Sequence, residues 1–152
     1  MSDYDTDTLT WSEQQAALLR RLAAGERVND KVDWENVIEE IESVGRGEVR
    51  AVLSSLENIV RHRIYLLGWP NGQSARKWHA ELRTFSRDLK DDYTKSMTGT
   101  GRVTDETVRG IYADAVEYCL ARVEAAPEVP IPSECPWTLD QLVAEGSAAR
   151  GP

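Results

Sequence analysis

An all-α fold follows from three features of the chain. Apolar residues recur at steps of three and four through most of its length, no segment alternates apolar and polar residues for the length of a strand, and glycine and proline cluster at the few points that separate the periodic runs. The predicted architecture is a single-domain bundle of five to six helices over residues 1–145, with a C-terminal proline-rich strap and a short terminal helix, and 146–152 as a flexible tail.

The first helix opens at Ser12, with Gln15 three residues on as the return half of a capping box; Leu18, Leu19 and Leu22 form its apolar face, and Gly25 and Asn29-Asp30 end it. The second begins at Asp33 and runs to Val44. Plotted at about 100° per residue, its apolar positions Trp34, Val37, Ile38, Ile41 and Val44 fall within about 120° of one another, one core-facing stripe. Gly45 and Gly47 bracket Arg46, which predicts a break or sharp bend there. The third helix carries Val49, Val52, Leu53, Leu56, Ile59, Val60, Ile64 and Leu67, and it stops where Gly68-Trp69-Pro70-Asn71-Gly72 forbids continuation.

Helix four steps through Ala75, Trp78, Leu82, Phe85 and Leu89, the seam of a helix packed on a partner, and Ser96 through Gly101 reads as a loop. Thr104, followed by Asp105 and Glu106, opens helix five, whose buried face is Val108, Ile111, Tyr112, Ala115, Cys119 and Val123. Pro127, Pro130, Pro132 and Pro136 hold the strap extended. Thr138 and Gln141 then cap the final helix, with Trp137 placed to staple onto Leu142.

At 152 residues the chain fits one domain, burying roughly 70% of the surface its unfolded form exposes, with no need of a disulfide or metal. Eighteen basic against twenty-six acidic side chains give a net charge of −8, a field that repels phosphate backbones and anionic lipid. Nucleic acid is disfavoured further because Trp78 and Phe85 belong to the core seam of helix four, and Glu81, Asp88, Asp91 and Asp92 dilute its Arg76, Lys77, Arg83, Arg87 and Lys90. An ion-pair seam between acidic helix two and basic helix four accounts for those charges more simply. Cys119 and Cys135 lack metal-ligand spacing and read as reduced thiols. An acidic N-terminus without an apolar run, and no stretch of about 18 apolar residues, predict a cytoplasmic protein with no membrane span.

The candidate chemistry sits in the second helix. Glu35, Glu39 and Glu42 form a carboxylate ridge beside the apolar stripe, able to ligate a hard cation or to raise one another's pKa, or else to be a solvated face in which Glu42 and Arg46 pair at i,i+4. His62 lies about 130° from the centre of its own helix's stripe, beside Ser55, Asn58 and Tyr65, so the pattern does not make it a core histidine. It is either a surface residue or the partner of Glu39 or Glu42 across a helical hairpin, as a general base with its orienting carboxylate or as part of a metal site. Complete templates are missing. A di-iron bundle needs Glu three residues before each His, where this chain has Ile59 and Arg76, and helical ribonucleases place an arginine where Glu57 stands.

The order of motifs resembles the domain of unknown function twenty-nine family. The matching text is Tyr4-Asp5-Thr6-Asp7, Trp11, Gln14 to Arg20, Asp33, Glu35-Asn36, Ile38 to Ser43, Gly45-Arg46, His62, Trp78, Arg83, Pro132 and Cys135-Pro136-Trp137-Thr138. The resemblance spans nearly the whole chain. It implies an all-helical bacterial protein of unassigned activity, with the acid block, His62, Trp78 and Arg83 as signature positions. Where the family pattern resembles His-Leu-Leu-Lys, this chain reads His62-Arg63-Ile64-Tyr65, so a role for that lysine does not transfer.

Two functions compete. The first is a protein-interaction or regulatory module, antitoxin-like in kind, offering an acidic helical surface to a basic or neutral partner, with homo-oligomerisation open on the same surface. The second is a metal-binding or hydrolytic protein using Glu39, Glu42 and His62, with Trp78, Arg83, Glu35 and Arg46 shaping a binding site. No cofactor is predicted; a divalent metal at Glu39, Glu42 and His62 belongs to the metal-binding version of the second reading, and the general-base version needs none.

Overall fold

The computed structural model describes residues 3–148, and every regular element among them is helical. The chain divides into two compact units, Met1–Gly47 and Glu48–Pro152. Helix α7, Leu139–Ala148, closes the described part of the chain, and residues 149–152 of the expected tail lie outside the described residues.

The first unit holds α1 (Asp3–Thr6), α2 (Thr8–Ala23), a single 3-10 turn (Asn29–Lys31) and the start of α3 (Trp34–Gly68). The expected cap at Ser12 is displaced to Asp7, whose carboxylate accepts from the Thr10 amide at 3.0 Å and the Thr10 hydroxyl at 2.7 Å. A carboxylate at the dipole's positive end outcompetes a hydroxyl one turn further in, and Ser12 instead donates back to the Leu9 carbonyl. Gln15 does cap a helix, but the next one: its side-chain oxygen accepts from the Asp33 amide at 2.8 Å. Asp33 in turn accepts from the Trp11 indole at 3.0 Å and from Asn36 at 2.8 Å, and these bonds hold its carboxyl below the usual carboxylate range. Gly25, at φ +90°, supplies the left-handed residue that ends α2. Trp11, Val32 and Val37 are the buried cluster, with Tyr4 edge-on to Trp11.

The break expected at Gly45-Arg46-Gly47 is not there. Helix α3 runs unbroken for 35 residues, and neither glycine has positive φ. A glycine inside a helix costs only about 1 kcal/mol relative to alanine, and without a proline nothing removes a ladder hydrogen bond or clashes with the preceding turn.

The second unit contains the rest of α3, α4 (Ala75–Asp92), α5 (Lys95–Gly99), α6 (Asp105–Arg122) and α7. Val52, Leu56, Ile59, Val60 and Ile64 of α3 are fully buried among Leu89, Val108, Tyr112, Cys119, Leu139 and Leu142. The segment read as a loop from Ser96 contains the short helix α5, nucleated by the burial of Met97. Thr104 caps α6 through a reciprocal pair with Thr107. Thr138 and Gln141 form the predicted box at the start of α7, whose first amide also donates to Asp105 at 2.8 Å.

Residues 123–138 between α6 and α7 carry no regular structure. Their polar groups are nonetheless paired: the Gly68 carbonyl accepts from the Glu128 amide, the Trp69 indole donates to Ala125, and the Tyr112 hydroxyl donates to Pro132. A Cβ at Gly68 would sit 3.4 Å from Ile131, so the glycine allows this segment to lie close against the end of α3.

Candidate functional site

Glu35, Glu39 and Glu42 are exposed side chains on the first part of α3, as a ridge at that spacing should be. Arg46 engages two of them, closely with Glu39 at 2.5 Å and at the outer limit with Glu42 at 3.7 Å. Glu40, on the other flank, accepts from the Tyr4 hydroxyl at 2.7 Å and raises that phenol above its ordinary pKa. The apolar stripe beside the ridge departs from expectation: only Val37 is buried, while Trp34, Ile38, Ile41 and Val44 stay open. Trp34 is fixed all the same, because its indole donates to the Asn29 carbonyl at 2.8 Å.

His62 departs in the opposite direction. It is buried, 9% exposed, because α4 covers the edge of α3 that the pattern marked as polar. Ser55 and Ser86 are buried too, and Phe85 of α4 lies 5.2 Å from the imidazole. The partner of His62 is Glu81 of α4, in place of the Glu39 or Glu42 expected across a hairpin; Nε2 meets the Glu81 Oε2 at 2.7 Å, and Nδ1 meets the Asn58 carbonyl at 2.7 Å. The His62 bond, with Lys77 3.6 Å away on the outer side, holds the Glu81 carboxyl below the usual range.

These contacts settle what the imidazole can do as it stands. A carbonyl only accepts, so Nδ1 is the donor to Asn58, and the Nε2 contact is attractive only with a proton in it. Neither ring nitrogen therefore offers a lone pair to a substrate or an ion until Glu81 is displaced. Among the described residues no group of three or more His, Cys, Asp or Glu side chains is placed to hold a metal ion.

The pair forms part of the wall of a pocket of about 610 Å³ within the second unit. Tyr65 and Trp78 stack face to face there, ring centroids 4.8 Å apart and planes 16° apart. Trp69 is fixed by its bond to Ala125. In the same lining, the Arg61 guanidinium lies 4.0 Å from the centre of the Tyr118 ring and the Arg122 guanidinium 5.7 Å from the same ring. Of the residues named from sequence, the structure brings His62 and Trp78 into this pocket, and it keeps Glu35, Glu39, Glu42 and Arg46 together in the first unit. Arg83 is exposed on α4 and does not line the pocket. Within each unit charges pair locally: Glu39 and Glu42 with Arg46 in the first, Lys77 with Glu81 and Arg87 with Asp88 in the second.

Sequence reasoning missed Glu81, Tyr65, Arg61, Tyr118 and Arg122. Spacing held a partial signal for Glu81 alone, since Lys77 and Glu81 are an i,i+4 pair that brackets Trp78 of the aromatic seam. Nothing local points from His62 to a carboxylate nineteen residues on.

An all-helical protein with one aromatic-walled pocket and one open amphipathic helix face is what fold and sites define among the described residues. The chain belongs to the family described as Domain of unknown function DUF29, whose model matches residues 4–146. It is similar over its full length to an alpha-helical protein of unknown function from Rhodospirillum rubrum, solved by crystallography, with 26% identity, 99% of that chain covered and a TM-score of 0.64. No curated protein matches it. No helix among the described residues is long and apolar enough to cross a membrane.

Proposed function

We propose that the protein is a cytoplasmic interaction module, regulatory in the manner of an antitoxin, whose docking face is the first part of α3. The observation that carries this reading is the open ladder: Trp34, Ile38, Ile41 and Val44 are 43%, 52%, 67% and 66% exposed, at the spacing that suits a helix-in-groove partner. Burying an aliphatic side chain of this size stabilises by roughly 1.5–3 kcal/mol, so a partner covering the ladder gains several such increments. Trp34 is already held by Asn29, and its ordering costs the complex little.

Charge selects the partner. One arginine among Glu35, Glu39 and Glu42 leaves the flank of the ladder negative, in a protein of net charge −8. A partner helix with an apolar stripe and lysine or arginine flanks is attracted, whereas a second copy would set acid flank against acid flank. The enzymatic and metal-binding alternative is weaker, because the His62 nitrogens are both engaged and Glu39 and Glu42 are engaged by Arg46.

Titration calorimetry with a synthetic leucine-striped, lysine-flanked helix tests the reading. Saturable binding is expected, lost in Ile41→Asp and absent for the same helix with glutamate flanks. Equal binding of both helices, or unchanged binding by Ile41→Asp, rejects it. A dimer in sedimentation that Ile41→Asp dissolves assigns the face to a second copy and also rejects the basic partner.

A further inference from the structure

The pocket of the second unit holds charge that the interaction reading does not use. We infer that it is a binding site for a small anionic ligand with a planar aromatic body, the anion held by Arg61 and Arg122 and the ring packed among Trp69, Trp78 and Tyr118.

The cations come first. Two guanidinium groups lie against one tyrosine ring, and the carboxylate nearest to either is Glu57, 3.9 Å from Arg61, at the limit of an ion pair. Arg122 has no ion pair to a carboxylate among the described residues. Two guanidinium groups gathered at one ring, one of them with only a long ion pair and the other with none among the described residues, favour the arrival of an anion, and a guanidinium fork matches a carboxylate or phosphate through two parallel hydrogen bonds. Three acids also line the pocket. Glu81 is engaged by His62 and Lys77, and Glu128 accepts from Asn71 at 3.0 Å, which leaves Glu124 as the third carboxylate of the lining. Over the whole lining Arg61, Lys77 and Arg122 match Glu81, Glu124 and Glu128 in number, with Lys77 and Glu81 paired to each other and the two arginines gathered at Tyr118.

The aromatic groups set the rest of the ligand. A volume of about 610 Å³ falls in the range of small-molecule sites and is far larger than a bare phosphate or carboxylate fills. The wall that fills the difference is tied together: Tyr65 and Trp78 brace one another, the Trp69 indole is bonded to Ala125, and the His62–Glu81 pair in the same wall joins α3 to α4. Fixed aromatic rings and a pair of guanidinium groups lining one pocket suit a ligand that is a ring at one end and an anion at the other. Aryl carboxylates and aryl phosphates share that chemistry.

Ligand-observed NMR on the full chain, with naphthoate and phenyl phosphate set against naphthamide, naphthylmethylamine and inorganic phosphate, tests it. Naphthoate or phenyl phosphate is expected to bind, with the neutral and cationic rings and inorganic phosphate each at least ~10-fold weaker, since ring and anion both contribute. Arg61→Gln with Arg122→Gln is expected to abolish the preference for the anion. Arg122→Lys retains it in part, and thermal unfolding of each variant separates lost binding from lost folding. Ile41→Asp leaves it untouched, so the pocket and the α3 docking face stand or fall separately. Failure of both aromatic anions to bind, equal binding of the neutral ring, or survival of the preference in the folded double variant overturns the assignment.

Discussion

In the second unit, Val52, Leu56, Ile59, Val60 and Ile64 of α3 are sealed from water, while in the first unit Trp34, Ile38, Ile41 and Val44 of the same helix keep between 43% and 67% of their surface exposed. Both runs step by three and four, and both are as apolar as a core requires. The second finds α4, α6 and α7 residues in its own unit to cover it. The first has Trp11, Val32 and Val37 as its buried cluster, fed by α2 and the turn before α3, and this covers one edge of the stripe only. The difference teaches that helical periodicity specifies a face that gains by being covered and is silent about what covers it. Where the chain supplies the cover, the result is core; where it does not, the face stays open, and the docking proposal rests on that face.

Mutations can break this comparison. The largest effect belongs to the sealed run: Leu56→Ala should cost about 2–5 kcal/mol in denaturant unfolding, the usual range for a cavity in a packed core. A cost below about 1 kcal/mol would mean that this part of α3 is not packed as described. In the first unit the scale drops. Trp11→Phe keeps the ring but removes the donor to Asp33, and a loss of about 1 kcal/mol is expected by the same measurement.

The glycines between the two runs give a change of opposite sign. Alanine at Gly45 or Gly47 meets nothing within 4 Å, so each replacement should stabilise by about 0.5–1 kcal/mol through helix propensity alone. A loss instead would show that the segment needs a conformation other than the straight helix. Ile41→Asp should change stability by no more than about 0.5 kcal/mol, since its side chain is two-thirds exposed, while removing binding of the basic helix. Large destabilisation by this substitution would move Ile41 into the core and end the docking proposal.

The smallest effect is a slope. The Glu81 carboxyl titrates below its usual 4.5 because of His62 and Lys77. A depressed carboxylate pKa contributes stability that is complete above the unfolded value and is lost as pH falls through the folded one. Thermal unfolding followed downward from pH about 4.5 should therefore fall less steeply in Glu81→Gln than in the parent. Parallel curves would place the acid sensitivity elsewhere, in Asp7 and Asp33, whose carboxyls are depressed as well.

How much of this the sequence carried depends on how local each determinant is. Thr104 before two acids, and Thr138 with Gln141, are self-contained signals, and both helices start where they say. Ser12 misled because Asp7 offers a stronger cap one turn earlier, and a box is only one of the caps available. Gly45 and Gly47 misled because glycine punctuates a helix only when its backbone is also asked for positive φ, as at Gly25. His62 was placed at a polar edge by its angle, correctly, but an edge is buried or exposed according to the neighbouring helix, and α4 lies over it. The partner Glu81 pairs locally with Lys77 and so reads as dilution of a basic helix, because nothing in the sequence ties it to an imidazole nineteen residues away. The pocket was the least legible feature, since its walls come from three separated stretches of chain.

Amide hydrogen exchange along α3, resolved by mass spectrometry with and without the lysine-flanked helix, tests the central claim most directly. Residues 52–67 should exchange only with global unfolding, while 35–47 should exchange at least ~10-fold faster in the free protein and slow when the helix is added. Uniform protection over the whole of α3 in the free protein, or no slowing of 35–47 at saturating helix, would contradict the claim that this face is built to be covered by a partner.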